Sequence, residues 1–311
     1  MERDFKLKTT NTGIFRTKKS TKSDMVFDVV NTIIMIIVCL VVLYPLYFIL
    51  VASITDPDIV NRGGLLLYPE VLFLGGFERI LQYEPLWVGY RNSLVYMIVG
   101  TAINLFVTLP AGYALSRKDL PYRRSLMLLF TFTMFFSGGL IPFFLLVNNL
   151  GFRDTIWAMV LPNALSVWNL IVTRSFFENN IPGEMLDAAI VDGCSDFRFF
   201  STIALPLSKV IIAVIGLFYA VAHWNAFFSA LIFLSNPELF PLQLILRNLL
   251  IIHQIHQGAM IVDPMGMAHR LRLADQMRYG VIVVASLPLL IIYPFIQKYF
   301  TQGVMIGAIK G

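Results

Sequence analysis

The sequence predicts an all-α polytopic membrane protein with about six transmembrane helices and both termini in the cytoplasm. Three observations predict it: a composition too apolar for water, six apolar windows of spanning length, and an uneven spread of lysine and arginine between them. Of 311 residues, 57% are hydrophobic and 14% charged, where a soluble domain carries about 25% charged. Mean hydropathy is +0.73. A soluble fold of this size could neither bury so many apolar side chains nor cover its surface with so few charges. The composition excludes an ordinary cytosolic or secreted enzyme, a disordered chain and, despite the net charge of +5, a nucleic-acid binder. Two cysteines, Cys39 and Cys194, are too few for a disulfide framework or a metal cluster.

A membrane helix needs about 20 mostly apolar residues. The windows that qualify are 29–54, 93–115, 125–147, 156–172, 210–234 and 279–299. The first and fifth are unbroken. The fourth is interrupted by Pro162, Asn163 and Asn169. Such residues persist in a span only where neighbouring helices satisfy the freed backbone and the amides, so this span is expected to face protein or a cavity.

Orientation follows the basic residues. The first 24 residues hold seven: Arg3, Lys6, Lys8, Arg16, Lys18, Lys19 and Lys22. The loop after the second window holds Arg117, Lys118, Arg123 and Arg124, and the loop after the third only Arg153. The segment between the first two windows has three Arg against five acids. Residues 1–24 thus form a basic cytoplasmic segment, 25–300 a transmembrane domain and 301–311 a cytoplasmic tail. The first apolar stretch is too long for a cleaved signal and lacks a small-residue cleavage site, so it reads as a retained anchor. Three connections exceed what joining helices requires: 55–91 and 235–278 outside, and 174–209 inside.

The inside segment has legible local physics. Asn180 is placed to cap a helix, Pro182 suits its first turn, and Glu184 and Asp187 favour its positive end. Gly193 is placed to end that helix in a left-handed conformation. Ser195 is placed to cap a second helix, on which Phe197, Phe200 and Ala204 recur on one face. Ala188 and Ala189 make one face of the first helix small enough for a groove on another protein. By composition the segment equally fits an amphipathic loop lying on lipid headgroups.

The residue order goes further. Asp187-Ala188-Ala189, two residues, Asp192-Gly193-Cys194, then Phe200, Ile203, Leu205 and Pro206 resemble the EAA motif of permease subunits in bacterial ATP-binding-cassette importers. Asp187 replaces the motif's Glu, Cys194 its last Ala, and Val210 stands where a further proline is often found. Asn92-Ser-Leu, Gly112-Tyr-Ala-Leu-Ser-Arg117, Trp224-Asn225 and the tail Gly303-Val-Met-Ile-Gly-Ala-Ile-Lys-Gly311 are similar to the oligosaccharide, maltose-type branch, in particular to its smaller six-helix subunit.

The resemblance implies a permease of the bacterial cell membrane that moves an oligosaccharide or polysaccharide fragment by alternating access. It implies these partners: a second permease subunit, a cytoplasmic ATPase dimer, an external solute-binding protein and the carbohydrate itself. ATP and Mg are used by that ATPase; this chain is implied to bind no cofactor and to catalyse nothing. Segment 174–209 would be the coupling helix, docking in the ATPase through Glu184, Asp187, Ala188, Ala189, Asp192, Gly193, Phe200, Leu205 and Pro206. Gly307, Ala308, Ile309, Lys310 and Gly311 would reach between the ATPases. The outside segments would meet the binding protein.

Polar groups within spans mark candidate path residues: Asn104, Asn169, His223, Trp224 and Asn225, with Asn163 beside them. Amides and aromatic faces suit sugars; the same residues also serve as contacts between helices. His253, His256 and His269 have no acid or cysteine in register, which argues against a metal. No phosphate-binding loop with Lys-Ser/Thr is present, so ATP hydrolysis falls to a partner. The competing class is an ion-coupled secondary transporter, which usually carries ionisable residues within its spans; only His223 lies deep in one.

Overall fold

The computed structural model describes residues 22–249, 277–291, 293, 294 and 297. The chain divides into two units, Met1–Phe48 and Ile49–Gly311. The first supplies most of α1 (Lys22–Ala52), 31 residues that include Pro45. At 1.5 Å per residue this is about 46 Å, longer than a hydrocarbon core of about 30 Å. Most of its large apolar side chains, from Met25 to Leu50, are exposed, as suits a helix whose solvent is lipid.

In the second unit, α2 (Pro57–Asn61) starts at Asp56, whose carboxylate accepts from the Asp58 amide at 2.9 Å. Residues 54–56 pair with 71–73 through an antiparallel bridge between Thr55 and Leu72. α3 (Gly75–Gln82) leads into α4 (Glu84–Ser116), the central helix. It begins nine residues before its apolar window, because Pro85 suits a first turn.

Along α4 one buried stripe recurs every four residues: Asn92, Tyr96, Gly100, Asn104, Thr108 and Gly112. Such rows form the ridges by which helices pack. Its glycines allow close approach: a Cβ on Gly100 would lie 2.3 Å from His223 Nε2, and one on Gly112 2.6 Å from Thr173 Cγ2.

Three windows are not straight helices. Window 125–147 is α5 (Arg123–Phe135) and α6 (Leu140–Asn149), bent by 111°. Gly139, at φ +86°, leaves the right-handed region there. Window 156–172 is α7 (Ile156–Val160) and α8 (Val167–Asn180), broken around Pro162. α8 runs well past the window and ends where Ile181, preceding Pro182, is extended.

Next come α9 (Gly183–Val191), α10 (Asp196–Phe199), a π turn (Phe200–Ala204) and α11 (Leu205–Leu207). An 82° bend then opens α12 (Lys209–Trp224), and α13 (Phe228–Phe233) follows a second break, so window 210–234 is also divided. A 3₁₀ turn (Pro237–Leu239) and α14 (242–249) precede α15 (Met277–Ile291). No strand occurs among the described residues. Of these, α1 and α4 alone are long and apolar enough to cross a membrane. The bent pairs α5–α6 and α10–α12 qualify if each is one span.

Two expectations for the inside segment are corrected. Asn180 does not cap α9: it is the last residue of α8, and its Nδ2 donates back to the Phe176 carbonyl at 2.9 Å. The residue at the α9 cap is Pro182, with no side-chain bond. Phe197 is also not on the inward face: it is 78% exposed, while Phe199 and Ala204 are fully buried. The π turn widens the helix by a residue per turn, so the 3.6-residue spacing does not carry through.

Candidate functional site

The turn after α9 closes as the sequence predicts. Gly193 has φ +75° and donates to the Ile190 carbonyl at 2.9 Å; Cys194 donates to the Ala189 carbonyl at 2.9 Å. This is the Schellman arrangement, which satisfies the last carbonyls of α9. Ser195 then caps α10, its Oγ accepting from the Arg198 amide at 3.4 Å.

The resulting helix–turn–helix is fastened to the end of α4. Tyr113 lies among Phe177, Phe199 and Phe200, with ring centroids 5.5, 6.4 and 5.0 Å away. Ala189 is buried in the same cluster, so it packs on its own protein rather than offering a face to another. The Arg117 guanidinium donates to Asp196 at 2.7 Å and to both oxygens of Asp119. Its pKa is raised, first by the bond to Asp119, and the Asp119 carboxyl is held below its ordinary range by the same bond. Arg174 and Arg123 donate to the Leu115 and Ser116 carbonyls, the last of α4. Both also pair with Glu178, at 3.0 and 3.4 Å.

This leaves an exposed surface of Glu184, Asp187, Ala188, Asp192 and Gly193, flanked by Val191, 87% exposed, and Phe197. Leu205 and Phe200 are half-buried and Pro206 is exposed. Behind α9 lies a cleft of about 700 Å³ that includes Arg117, Lys118, Glu184 and Asp187.

A second site forms where two of the apolar windows break. The break at 161–166 is held by two parallel latches. Asn104 Nδ2 donates to the carbonyls of Asn163 and Ala164, both at 2.8 Å, and its Oδ1 lies 2.7 Å from His223 Nε2. One turn along, the Tyr219 hydroxyl accepts from the Ser166 amide at 3.0 Å and shares a bond of 2.7 Å with Thr108. Neighbouring helices thus satisfy the broken backbone, as a membrane requires.

Against this break and the one at 225–227 lies a cavity of about 720 Å³. Asn169, His223 and Asn225 line it, together with Asn163, Trp168 and Ser229. Asn104 lies behind it, fully buried. Trp224 turns away: it is buried against Leu86, Met97 and Leu242, with Tyr90 edge-on at 5.8 Å. Consecutive helical residues point about 100° apart, so neighbours in sequence need not share a site. Trp168 and Tyr219 carry no signal in the chain order that sets them apart from other apolar-window aromatics. Arg117 was visible as a flank charge and as the end of the segment Gly112–Arg117, but its bond to Asp196 was not. The tail residues Gly307 to Gly311 and the histidines 253, 256 and 269 lie outside the described residues.

Residues 85–306 match the family described as binding-protein-dependent transport system inner membrane component. The chain is similar to the polygalacturonan/rhamnogalacturonan transport system permease protein YtcP of Bacillus subtilis, 37% identical over 92% of this chain and 98% of that one. It is 27% identical to the arabinooligosaccharides transport system permease protein AraQ of the same organism, over 92% and 97%. Among solved structures it is similar to a chain of a bacterial ABC transporter involved in the import of the acidic polysaccharide alginate. That likeness has 30% identity, a TM-score of 0.81, and covers 91% of this chain and 100% of the other.

Proposed function

This chain belongs to the family of binding-protein-dependent transport system inner membrane components, and from that premise we propose how it works within a carbohydrate importer. It is a permease subunit for an oligosaccharide or polysaccharide fragment. It works with a second permease, a cytoplasmic ATPase dimer that uses ATP and Mg, and an external binding protein. Residues 25–300 form the transmembrane domain in the cell membrane, with 1–24 and 301–311 in the cytoplasm.

One observation carries the mechanical part of the reading. The exposed helix–turn–helix has its own turn fully bonded and is fixed to the end of the central helix by Tyr113 and Arg117. A lever needs that combination, and no reactive groups. Glu184, Asp187, Ala188, Asp192 and Gly193 form the face that docks in the ATPase, with Val191 and Phe197 as apolar knobs. Ala189, Phe200 and Leu205 hold that face from behind. Pro206 sits at the bend into α12, and residues 307–311 reach the ATPases. Alternating access then moves the cavity between the two broken spans, which is where irregular backbone at membrane depth belongs.

The test is reconstitution of the assembled complex in vesicles. ATP hydrolysis is expected to rise when sugar-loaded binding protein is added, with uptake of the sugar. Uptake that follows an ion gradient and leaves ATP untouched would refute the proposal.

A further inference from the structure

The cavity between the broken spans holds polar groups with nothing to bond. Asn169 is 6% exposed and lines it, yet among the described residues no hydrogen bond reaches its side-chain amide. The Asn163 side-chain amide, on an exposed residue of the same wall, also has no partner among the described residues. His223 is 7% exposed and also lines the cavity. Asn104 Nδ2 is committed to two carbonyls, so its Oδ1 accepts, and the proton of the neutral ring sits on His223 Nε2. His223 Nδ1 is then an acceptor without a partner among the described residues. Asn169 and His223 are buried as residues but turn these atoms to the cavity rather than into protein, where a ligand that occupies it can bond them.

The rest of the wall narrows the chemistry. Trp168 is 58% exposed and borders the cavity, presenting a large aromatic face. Among the described residues lining it, none is Lys, Arg, Asp or Glu. A volume of about 720 Å³ lies within the range of about 300–1,000 Å³ for small-molecule sites. Amides that donate and accept, an imidazole that accepts and one indole fit a hydroxyl-bearing ring with an apolar face. They offer a carboxylate no counter-charge.

We infer that this wall is a carbohydrate subsite that reads ring hydroxyls and the apolar ring face and does not read charge. Trp168 stacks on the ring, and Asn169 and His223 Nδ1 take its hydroxyls. Where a substrate carries carboxylates, they face other walls of the path. The inference rests on the reading of this chain as a carbohydrate permease, and deepens it.

The test uses the whole reconstituted complex with its binding protein and the oligosaccharide it imports, comparing Trp168→Ala, Trp168→Phe, Asn169→Ala and Asn169→Asp, each checked for co-purification with its partners. Trp168→Ala is expected to lower uptake about tenfold, the size of losing one aromatic anchor. Trp168→Phe keeps a stacking face and should stay within about threefold of the native rate. Asn169→Asp should lose no more than Asn169→Ala. Native uptake in Trp168→Ala, or equal losses in its Ala and Phe variants, would overturn the stacking role. An Asp variant at least tenfold worse than the Ala variant would place a substrate carboxylate against this wall and overturn its indifference to charge. If the native complex imports no oligosaccharide, the underlying reading falls instead, and that result is distinct from the others.

Discussion

Gly193 is a residue whose conformation could be read from the string, because everything that fixes it lies within five residues. The acids at the start of α9, the glycine after its end and the serine at the next cap each act locally. A side chain at φ +75° costs about 1–2 kcal/mol, although open space surrounds the position. Gly193→Val should therefore leave the protein in the membrane while ATP hydrolysis proceeds without sugar uptake. Transport at the native rate in that variant would remove Gly193 from the coupling turn. The Arg117–Asp196 bond was not legible, since its partners are 79 residues apart. Asp196 lies close in sequence to the acids of the proposed docking surface but is committed to its own protein through Arg117. Asp119 supplies a pH signature. Its folded pKa is depressed by Arg117, so its contribution is present above the unfolded value of about 3.9 and is lost as pH falls through the lower folded one. The melting points of the native complex and Asp119→Asn should differ slightly near neutrality and converge below about pH 4. A gap of unchanged size at pH 3 would assign the difference to something other than this ion pair.

At the scale of elements, the apolar windows fall on helices but do not by themselves mark where those helices are interrupted. Hydropathy averages over about 20 residues and passes over two or three that leave the helix. The interruption at 161–166 was legible because Pro162 and Asn163 announce it. The one at 225–227 was not, because Ala226 and Phe227 keep the window apolar. The latches were invisible for a different reason: Asn104 and His223 each look like an isolated polar residue until the fold sets them 2.7 Å apart. Their weight can be measured. Asn104→Leu would strip partners from two carbonyls and from His223 at once. Each buried group left unbonded costs about 1–3 kcal/mol. The purified complex should then melt several degrees lower, at about 2–4 °C per kcal/mol. Asn104→Asp keeps an acceptor for His223 but offers the two carbonyls no amide donor, so it should recover only part of the loss. Native stability in Asn104→Leu would mean that the break is held by other contacts.

The whole molecule depends on one continuous element joining its two sites. Over 33 residues, about 50 Å, α4 carries Asn104 and Thr108 beside the cavity and Tyr113 near its end, with Arg117 just after it, at the exposed helix–turn–helix. Nine residues, or about 14 Å, separate Asn104 from Tyr113. On the proposed mechanism, movement of the lever reaches the cavity along α4, past Pro110 inside the helix, provided helix and lever stay packed together. Tyr113 makes that joint, 8% exposed among three phenylalanines. Truncating it to Ala removes an aromatic ring from a core, at about 3–5 kcal/mol by analogy with Phe→Ala, yet leaves the docking face and the cavity wall intact in sequence. The expected result is a complex that still assembles and retains basal ATP hydrolysis, but whose hydrolysis no longer responds to loaded binding protein. Tyr113→Phe keeps the ring and gives up only the 3.4 Å contact with Arg117, so it should respond nearly as the native complex does. If Tyr113→Ala responds fully, the motion reaches the cavity by the α11–α12 bend and not through α4. The same measurement on a Ser208→Pro variant, at the residue between α11 and α12, would then show the loss that Tyr113→Ala did not.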